Sequence, residues 1–223
     1  MQGEGRSTGR SCSFLRLGGC NLTCRWCDTP YTWDWTGVSQ GRTAYRPTDE
    51  LHAMTVTEVT RRLRELGTGL VVVSGGEPLS QQDRLLPVIE EIRARGADVE
   101  IETNGTVVPS AALVAAGVRF NVSPKLAHSA VAERRRVVPA ALRALAAIDG
   151  TCFKFVCADP SDLKEVDELV ERFALRDVWI MPCGQEPEEI TDGLRRLADP
   201  VIQRKWNLTG RLHVTLWGNQ RGV

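Results

Sequence analysis

The amino-acid sequence predicts an α/β fold, arranged as a partial, open βα barrel of about six mostly parallel strands. Short apolar runs rich in β-branched residues alternate with helical patterns along the chain, which is typical of parallel sheets with helical crossovers. Four unusual turns, GGEP, TNG, SPK and MPCG, each follow a predicted strand. They should gather at the carboxyl edge of one sheet, where such barrels place their active sites. About six or seven strands are too few for a complete eight-stranded barrel.

Each helix and strand is predicted from the period of its apolar residues and from its end signals. Thr55 and Glu58 form a capping box, and Gly67 ends the first long helix. Pro87 is tolerated only close to the first turn of the next helix. The predicted strands are residues 13–17, 70–74, 99–103, 118–122, 152–156, 178–181 and 212–216, and the predicted helices are 55–66, 83–95, 109–116, 139–148, 161–174 and 186–198.

Composition favours one domain, residues 1–223, in the cytoplasm. The 28 basic residues balance the 28 acidic ones, so no overall positive field attracts nucleic acid or an anionic membrane. Apolar runs do not approach the roughly 18 residues of a membrane span. The opening residues MQGEGRSTGR lack the apolar core of a signal peptide. We therefore expect neither a nucleic-acid partner nor a membrane partner.

Three of the seven cysteines lie together in CNLTCRWC, as Cys20, Cys24 and Cys27. A structural zinc site uses four protein ligands, whereas three ligands leave one position open. A four-iron cluster normally takes one thiolate for each iron, so three cysteines would leave one iron free for another ligand. The alternative is a zinc site that takes Asp28 or a remote histidine as its fourth ligand.

The stretch CNLTCRWC resembles the CxxxCxΦC signature of the radical S-adenosylmethionine (SAM) superfamily, with Trp26 as the aromatic residue. Residues 74–78, SGGEP, resemble its GGE motif. This resemblance implies a [4Fe–4S] cluster on Cys20, Cys24 and Cys27 whose open iron binds SAM. Taken alone, GGEP predicts only a tight turn with an ion-paired glutamate. The implied SAM contacts are Trp26, Cys27, Asp28, Gly76, Glu77, Asn104, Ser123, Pro124 and Lys125.

Residues 2–35 closely resemble the 7-carboxy-7-deazaguanine synthases of queuosine biosynthesis, and IETNG, SPK and LHVTLWGNQRGV agree as well. The resemblance covers nearly the whole chain. It implies conversion of 6-carboxy-5,6,7,8-tetrahydropterin to 7-carboxy-7-deazaguanine by a radical ring contraction that releases ammonia. SAM would be used catalytically and Mg²⁺ would be required. A homodimer and an electron donor of the flavodoxin or ferredoxin type are also implied.

A carboxylated pterin has an anionic group and a guanine-like edge of donors and acceptors. The planar fork of Arg16 suits a carboxylate or a ring edge, and the Glu4 carboxylate can accept two adjacent N–H donors. Without the resemblance, these two residues predict a surface ion pair and an exposed N-terminal carboxylate. The resemblance implies Thr29 as a Mg²⁺ ligand, and the implied substrate contacts are Gln2, Gly3, Glu4, Arg16, Ser74 and His213.

Two departures from the family are visible. The family normally has a strand before QGEG, so either the start at Met1 is too late or part of the first strand is missing. Cys183 replaces the polar or acidic residue common in the MPCG turn. Lys154 is either a site charge or a snorkelling edge residue. The Tyr31, Trp33 and Trp35 rings either cover the cluster or serve as packing. Two other functions stay open: a glycyl-radical-activating enzyme, which consumes SAM, and a non-catalytic metal-binding module.

Overall fold

A computed structural model describes residues 1–218 and 220–222; Asn219 and Val223, in the terminal LHVTLWGNQRGV stretch, lie outside the described residues. Within the described ranges, seven parallel strands form one open sheet whose order follows the chain. This confirms the predicted α/β fold with an open parallel sheet. The strands are β1 (Ser13–Leu17), β2 (Leu70–Gly75), β3 (Asp98–Thr103), β4 (Arg119–Val122), β5 (Cys152–Cys157), β6 (Val178–Pro182) and β7 (Asn207–Leu208).

Helices connect the strands, and most begin and end near their predicted positions. Thr55 Oγ1 accepts a hydrogen bond from Glu58 N, the Glu58 carboxylate accepts one from Thr55 N, and Gly67 has a φ of 65°. Pro87 lies in the second turn of α3, further from the helix start than predicted. The helices are α1 (Pro47–Glu50), α2 (Val56–Leu66), α3 (Gln82–Ala94), α4 (Ala111–Ala115), α5 (Glu133–Arg136), α6 (Pro139–Ala146), α7 (Leu163–Phe173), α8 (Pro187–Gln203) and α9 (Leu212–Trp217).

The predicted strand at 212–216 is wrong. These residues form α9, and β7 ends before them at Leu208. The alternation in LHVTL is typical of a strand, but the Leu212 amide donates to the Gly3 carbonyl at 2.8 Å. The N-terminal segment therefore lies beside residue 212, and this tertiary contact outweighs the local strand pattern.

The two faces of the sheet differ in chemistry because successive side chains of a strand point to opposite faces. On one face, residues such as Val73, Ile101 and Phe155 pack with the helices into the main hydrophobic core. Alternate residues of the same strands form the opposite face, which is polar towards the carboxyl ends. We call this set the polar face; its members are Arg16, Ser74, Glu100, Glu102, Asn121 and Lys154. In the described part of the chain, no helix has the length and apolar character needed to cross a membrane.

Candidate active site

The three clustered cysteines lie in a loop, residues 20–27, that leaves the end of β1. Cys24 is buried against Leu22 and Val131, and Cys20 and Cys27 pack against the same group. Hydrogen bonds point at the sulfurs: Leu22 N donates to Cys20 Sγ at 3.4 Å, and Trp33 Nε1 donates to Cys27 Sγ at 3.2 Å. Such donors stabilise thiolates that bind iron and tune the potential of a cluster.

The environment of these thiols fits metal ligation. Burial raises the pKa of Cys24 and Cys27, and it raises the pKa of Cys20 to about 11. A bound cation is therefore needed to hold all three as thiolates near neutral pH. Among the described residues, no three His, Cys, Asp or Glu side chains lie close enough together to hold one metal ion. A four-iron cluster does not require this, because each thiolate binds a different iron.

The GGEP turn packs directly against the backbone that precedes the cluster loop. Gly76 N donates to Leu17 O at 3.0 Å, and Glu77 N donates to Gly19 O at 2.8 Å. A Cβ atom on Gly76 would lie 1.8 Å from the Gly19 carbonyl oxygen. Glycine is therefore required here by the close approach of the chain to itself, whatever ligand also binds the turn.

Glu77 joins this turn to the end of β3. Its carboxylate is fully buried and accepts hydrogen bonds from Leu79 N, Thr103 Oγ1 and Asn104 N at 2.9, 2.7 and 2.7 Å. Burial raises the pKa of the Glu77 carboxyl, although these donors act in the opposite direction. Uncharged donors thus take the place of the ion pair that the turn alone predicted. The predicted SAM contact through the Gly76–Glu77 backbone stays a prediction.

Asn104 connects the end of β3 with the cluster loop. Its Nδ2 donates to Asn21 Oδ1 at 2.9 Å and lies 4.0 Å from Cys20 Sγ. Its Oδ1 accepts from the amide and hydroxyl of Thr106. A residue predicted to contact SAM therefore lies beside a predicted cluster ligand.

The SPK turn after β4 lies beside the aromatic residue of the cluster loop. Lys125 Nζ donates to Ser123 Oγ at 3.0 Å and lies 5.5 Å from the centre of the Trp26 ring. His128 stacks on the same indole with ring centres 5.2 Å apart. Trp26 Nε1 is buried and has no hydrogen-bond partner among the described residues, so a donor is available for a ligand at this point. Pro124 is buried between the two turn residues.

The polar face continues the site below the cluster loop. The Glu102 carboxylate, on β3, accepts hydrogen bonds from Gln2 Nε2 at 3.1 Å and from Ser74 Oγ at 2.6 Å. Gln2 Oε1 in turn accepts from Glu4 N at 3.1 Å. Predicted substrate contacts from the N-terminal segment and from β2 are therefore brought together by a residue that the sequence analysis did not identify.

Glu4 is the most strongly paired carboxylate of the site. It forms ion pairs with Lys154 of β5 and with Arg211, whose Nε lies 2.8 Å from Oε1. Burial alone would raise the pKa of Glu4, but the charges of Lys154, Arg211 and His213 outweigh it and hold the pKa well below its usual range. His213 Nε2 lies 3.9 Å from the carboxylate, and burial lowers the pKa of this imidazole. Lys154 is thus a charge inside the site, which decides between its two predicted roles.

Comparison with known proteins agrees with this arrangement. Residues 15–149 match the family described as the radical SAM superfamily. The 7-carboxy-7-deazaguanine synthase of Pyrobaculum aerophilum is 36% identical over 227 residues, covering 100% of this chain and 93% of that protein. The synthase of Rhodopirellula baltica is 32% identical, covering 100% and 85%. The crystal structure of QueE from Escherichia coli has a TM-score of 0.72 at 26% identity and covers 96% of this chain and 90% of that one.

The chain belongs to the 7-carboxy-7-deazaguanine synthase family of the radical SAM superfamily. Membership implies a [4Fe–4S] cluster and SAM. The loop fits both, because its three cysteines can bind three of the four irons and leave the fourth iron for SAM. The predicted family resemblance and the predicted enzyme class are confirmed.

Three further predicted family residues have contacts that do not test their predicted roles. Arg16 is exposed on β1, opposite Ser74 in register, with its guanidinium 5.9 Å from the Phe14 ring centre. Thr29 Oγ1 lies 3.7 Å from Cys27 Sγ. Gly3 packs against His213, since a Cβ there would lie 2.0 Å from His213 Nδ1. Their assignments to substrate and Mg²⁺ stay predictions.

Sequence reasoning missed Glu102 and Arg211. A signal for Glu102 exists: it is a charged residue inside a strand of a parallel sheet, where both faces are usually apolar. Nothing comparable marks Arg211, one of 24 arginines among 28 basic residues that also include four lysines. Its role appears only when the first and last segments of the chain are seen side by side.

Proposed function

We propose that the protein is a 7-carboxy-7-deazaguanine synthase, formed by a single radical SAM domain over residues 1–223. It converts 6-carboxy-5,6,7,8-tetrahydropterin to 7-carboxy-7-deazaguanine and ammonia in the biosynthesis of queuosine and related 7-deazapurines. The observation that carries the proposal is the Glu4 carboxylate, which is 14% exposed, is paired with Lys154 and Arg211, and is linked through Arg211 to Asp28 directly after the cluster loop. An anionic acceptor at that position matches the adjacent amide and amino donors of a pterin edge.

The contacts of the substrate residues support the roles proposed for them. Glu4 accepts from the pterin edge, Gln2 and Gly3 border the same ring, and His213, whose imidazole pKa is lowered by burial, offers a ring nitrogen. Ser74 and Glu102 face the ring from the polar face, where Ser74 Oγ donates to the Glu102 carboxylate. The conversion loses only ammonia and needs no net oxidant, which is consistent with SAM being regenerated rather than consumed.

Other residues hold the cofactors. When bound, the cluster and SAM would supply the radical chemistry for hydrogen abstraction from the substrate. The chain keeps this chemistry away from water: Leu22, Val131 and Trp33 cover the cysteines. Asn104 beside Cys20, and Trp26 with Lys125 of the SPK turn, would hold and orient SAM.

A divalent cation is expected from the charges of the site. The Glu4 and Asp28 carboxylates are paired with Lys154 and Arg211, whereas the Glu102 carboxylate accepts from the uncharged donors of Gln2 and Ser74. A carboxylated substrate adds another negative charge, so its binding is favoured when Mg²⁺ accompanies it. Thr29 is the proposed protein ligand, and waters and substrate oxygens complete the sphere.

Three further properties belong to this proposal. β1 is an edge strand with an exposed Phe14, which supports a homodimer because unpaired edges are commonly covered.

The outer side of the cluster loop exposes Arg25, and Arg135 donates to Asn21 O of the same loop at 2.7 Å. This basic surface suits an acidic electron donor such as a flavodoxin or ferredoxin. The seven free cysteines and an oxygen-sensitive [4Fe–4S] cluster suit a reducing compartment, which supports a location in the cytoplasm.

The test is an anaerobic assay of the iron-reconstituted protein with 6-carboxytetrahydropterin, SAM, Mg²⁺ and a reductant. Mass spectrometry follows 7-carboxy-7-deazaguanine, and SAM is measured in parallel. Product with SAM largely conserved supports the proposal. SAM cleavage without product would reject this substrate and favour a glycyl-radical activase. About one bound zinc and no iron would favour a non-catalytic module.

A further inference from the structure

We infer that Arg211 is a positioning residue that holds the pterin acceptor Glu4 against the segment leaving the cluster loop. The inference rests on the proposed function. In it, the guanidinium of Arg211 aligns the substrate with the cluster and SAM, from which the radical comes. Arg211 does not act as a ligand of either cofactor.

The contacts of Arg211 join three separate segments of the chain. Its Nε donates to Glu4 Oε1 at 2.8 Å, its second nitrogen donates to the Gly184 carbonyl after β6 at 2.7 Å, and its third pairs with Asp28. Glu4 belongs to the predicted pterin subsite. Asp28 directly follows the third cluster cysteine, Cys27.

The hydrogen-bonding capacity of the Arg211 guanidinium is used too fully for its contacts to be incidental packing. The side chain of Arg211 is 8% exposed, and each of its three nitrogens has an acceptor. A planar, fixed fork sets both distance and angle between its partners. Rotation of the Glu4 carboxylate would therefore break a charge-assisted hydrogen bond, so Arg211 limits the orientations in which Glu4 can accept from a substrate.

Lys154 cannot replace this function. It pairs with the other oxygen of the Glu4 carboxylate, which keeps an anion at this position even without Arg211. An ammonium group is a point charge with rotatable donors and imposes no plane. We therefore assign the ionisation of Glu4 to both cations and its orientation towards the cluster loop to Arg211.

The variant Arg211→Gln is expected to fold. Glu4 keeps Lys154 as a partner, and Asp28 is 40% exposed and can be solvated. No buried carboxylate is left without a partner, which is the costly case.

The experiment compares wild type, Arg211→Gln, Arg211→Lys and Arg204→Gln, all with reconstituted clusters. Arg204 is the matched control: it binds one carboxylate, Asp167, and one carbonyl, Pro200 O, between α7 and α8. Three quantities are measured: bound iron, the Kd of 6-carboxytetrahydropterin by anaerobic equilibrium dialysis without SAM, and the ratio of SAM cleaved to product formed.

For Arg211→Gln we expect unchanged iron content, a Kd for the pterin raised about 10- to 100-fold, and more SAM cleaved per product. Arg211→Lys should recover part of the affinity but not the coupling of SAM cleavage to product. Arg204→Gln should match wild type. If Arg211→Gln kept the wild-type Kd and SAM-to-product ratio, or lost its iron, the inference would be wrong. A wild type that makes no product would instead refute the proposed function.

Discussion

Glu4 shows how a single carboxylate can be prepared for binding before any ligand arrives. Lys154 and Arg211 neutralise it from two sides and hold its pKa below the ordinary value of 4.5. A pterin therefore meets an acceptor that is already desolvated and ionised. The free energy of preparing the site is part of folding and does not have to be supplied by the substrate.

The same pairing makes stability depend on pH in a defined direction. Because the folded pKa of Glu4 is depressed, its contribution is complete above about pH 4.5 and is lost as pH falls towards the folded pKa. We expect Glu4→Gln to be about 3 kcal/mol less stable than wild type at pH 7. The difference should shrink steadily below about pH 4.5 in urea unfolding of the two proteins. A difference that did not change between about pH 6 and pH 3 would contradict this role of Glu4.

Trp33 contacts a predicted cluster ligand through its indole N–H. Hydrogen bonds to cluster sulfurs raise the reduction potential, because they stabilise added negative charge. Trp33→Phe keeps the ring and removes the donor, so we expect a more negative potential in spectroelectrochemical titration of the reconstituted protein. Trp35→Phe is the control, and an equal shift in both variants would show that aromatic packing, not the hydrogen bond, sets the potential.

The turn after β2 is the element on which the cluster loop rests. Gly76→Ala would put a Cβ against the Gly19 carbonyl, and neither backbone segment can yield without moving the loop. We expect a loss of about 1–3 kcal/mol in stability together with reduced iron binding, measured by unfolding and iron analysis.

The matched control for that substitution is Gly69→Ala, just before the same strand. A Cβ there meets no atom within 4 Å, so iron content should stay at the wild-type level. If both variants retained full iron, the position of the cluster loop would not depend on the GGEP turn.

The local sequence pattern predicts a helix or strand well where no distant contact is needed to form it. The capping box at Thr55 and the buried strand β2 follow from short-range signals, and the structure contains both. The 212–216 segment could not be predicted in this way, because its helix depends on the Gly3 carbonyl more than 200 residues away. Cys20, Cys24 and Cys27 are recognisable from spacing, whereas Arg211 depends entirely on tertiary contacts.

Across the whole molecule, acidic and basic residues balance, yet basic side chains lie on the outer side of the cluster loop. We expect the double variant Arg25→Glu and Arg135→Glu to raise the KM for a flavodoxin about 10-fold at low salt. Turnover driven by dithionite should change far less. Arg195→Glu on α8 is the control, because Arg195 is an exposed arginine on another element. Equal loss with both reductants would place the defect in the cluster loop itself.

The order of the sheet has a consequence for how the protein is made. Each strand pairs with the one before it in the chain, so the nascent polypeptide can add one unit after another to a growing edge. The pterin subsite does not form in that order, because Glu4 precedes all of the strands in the chain, whereas its neighbours Arg211 and His213 follow β7. The cluster loop can thus be enclosed earlier in synthesis, while competence for the substrate arises only when residues 211–213 leave the ribosome and reach Glu4.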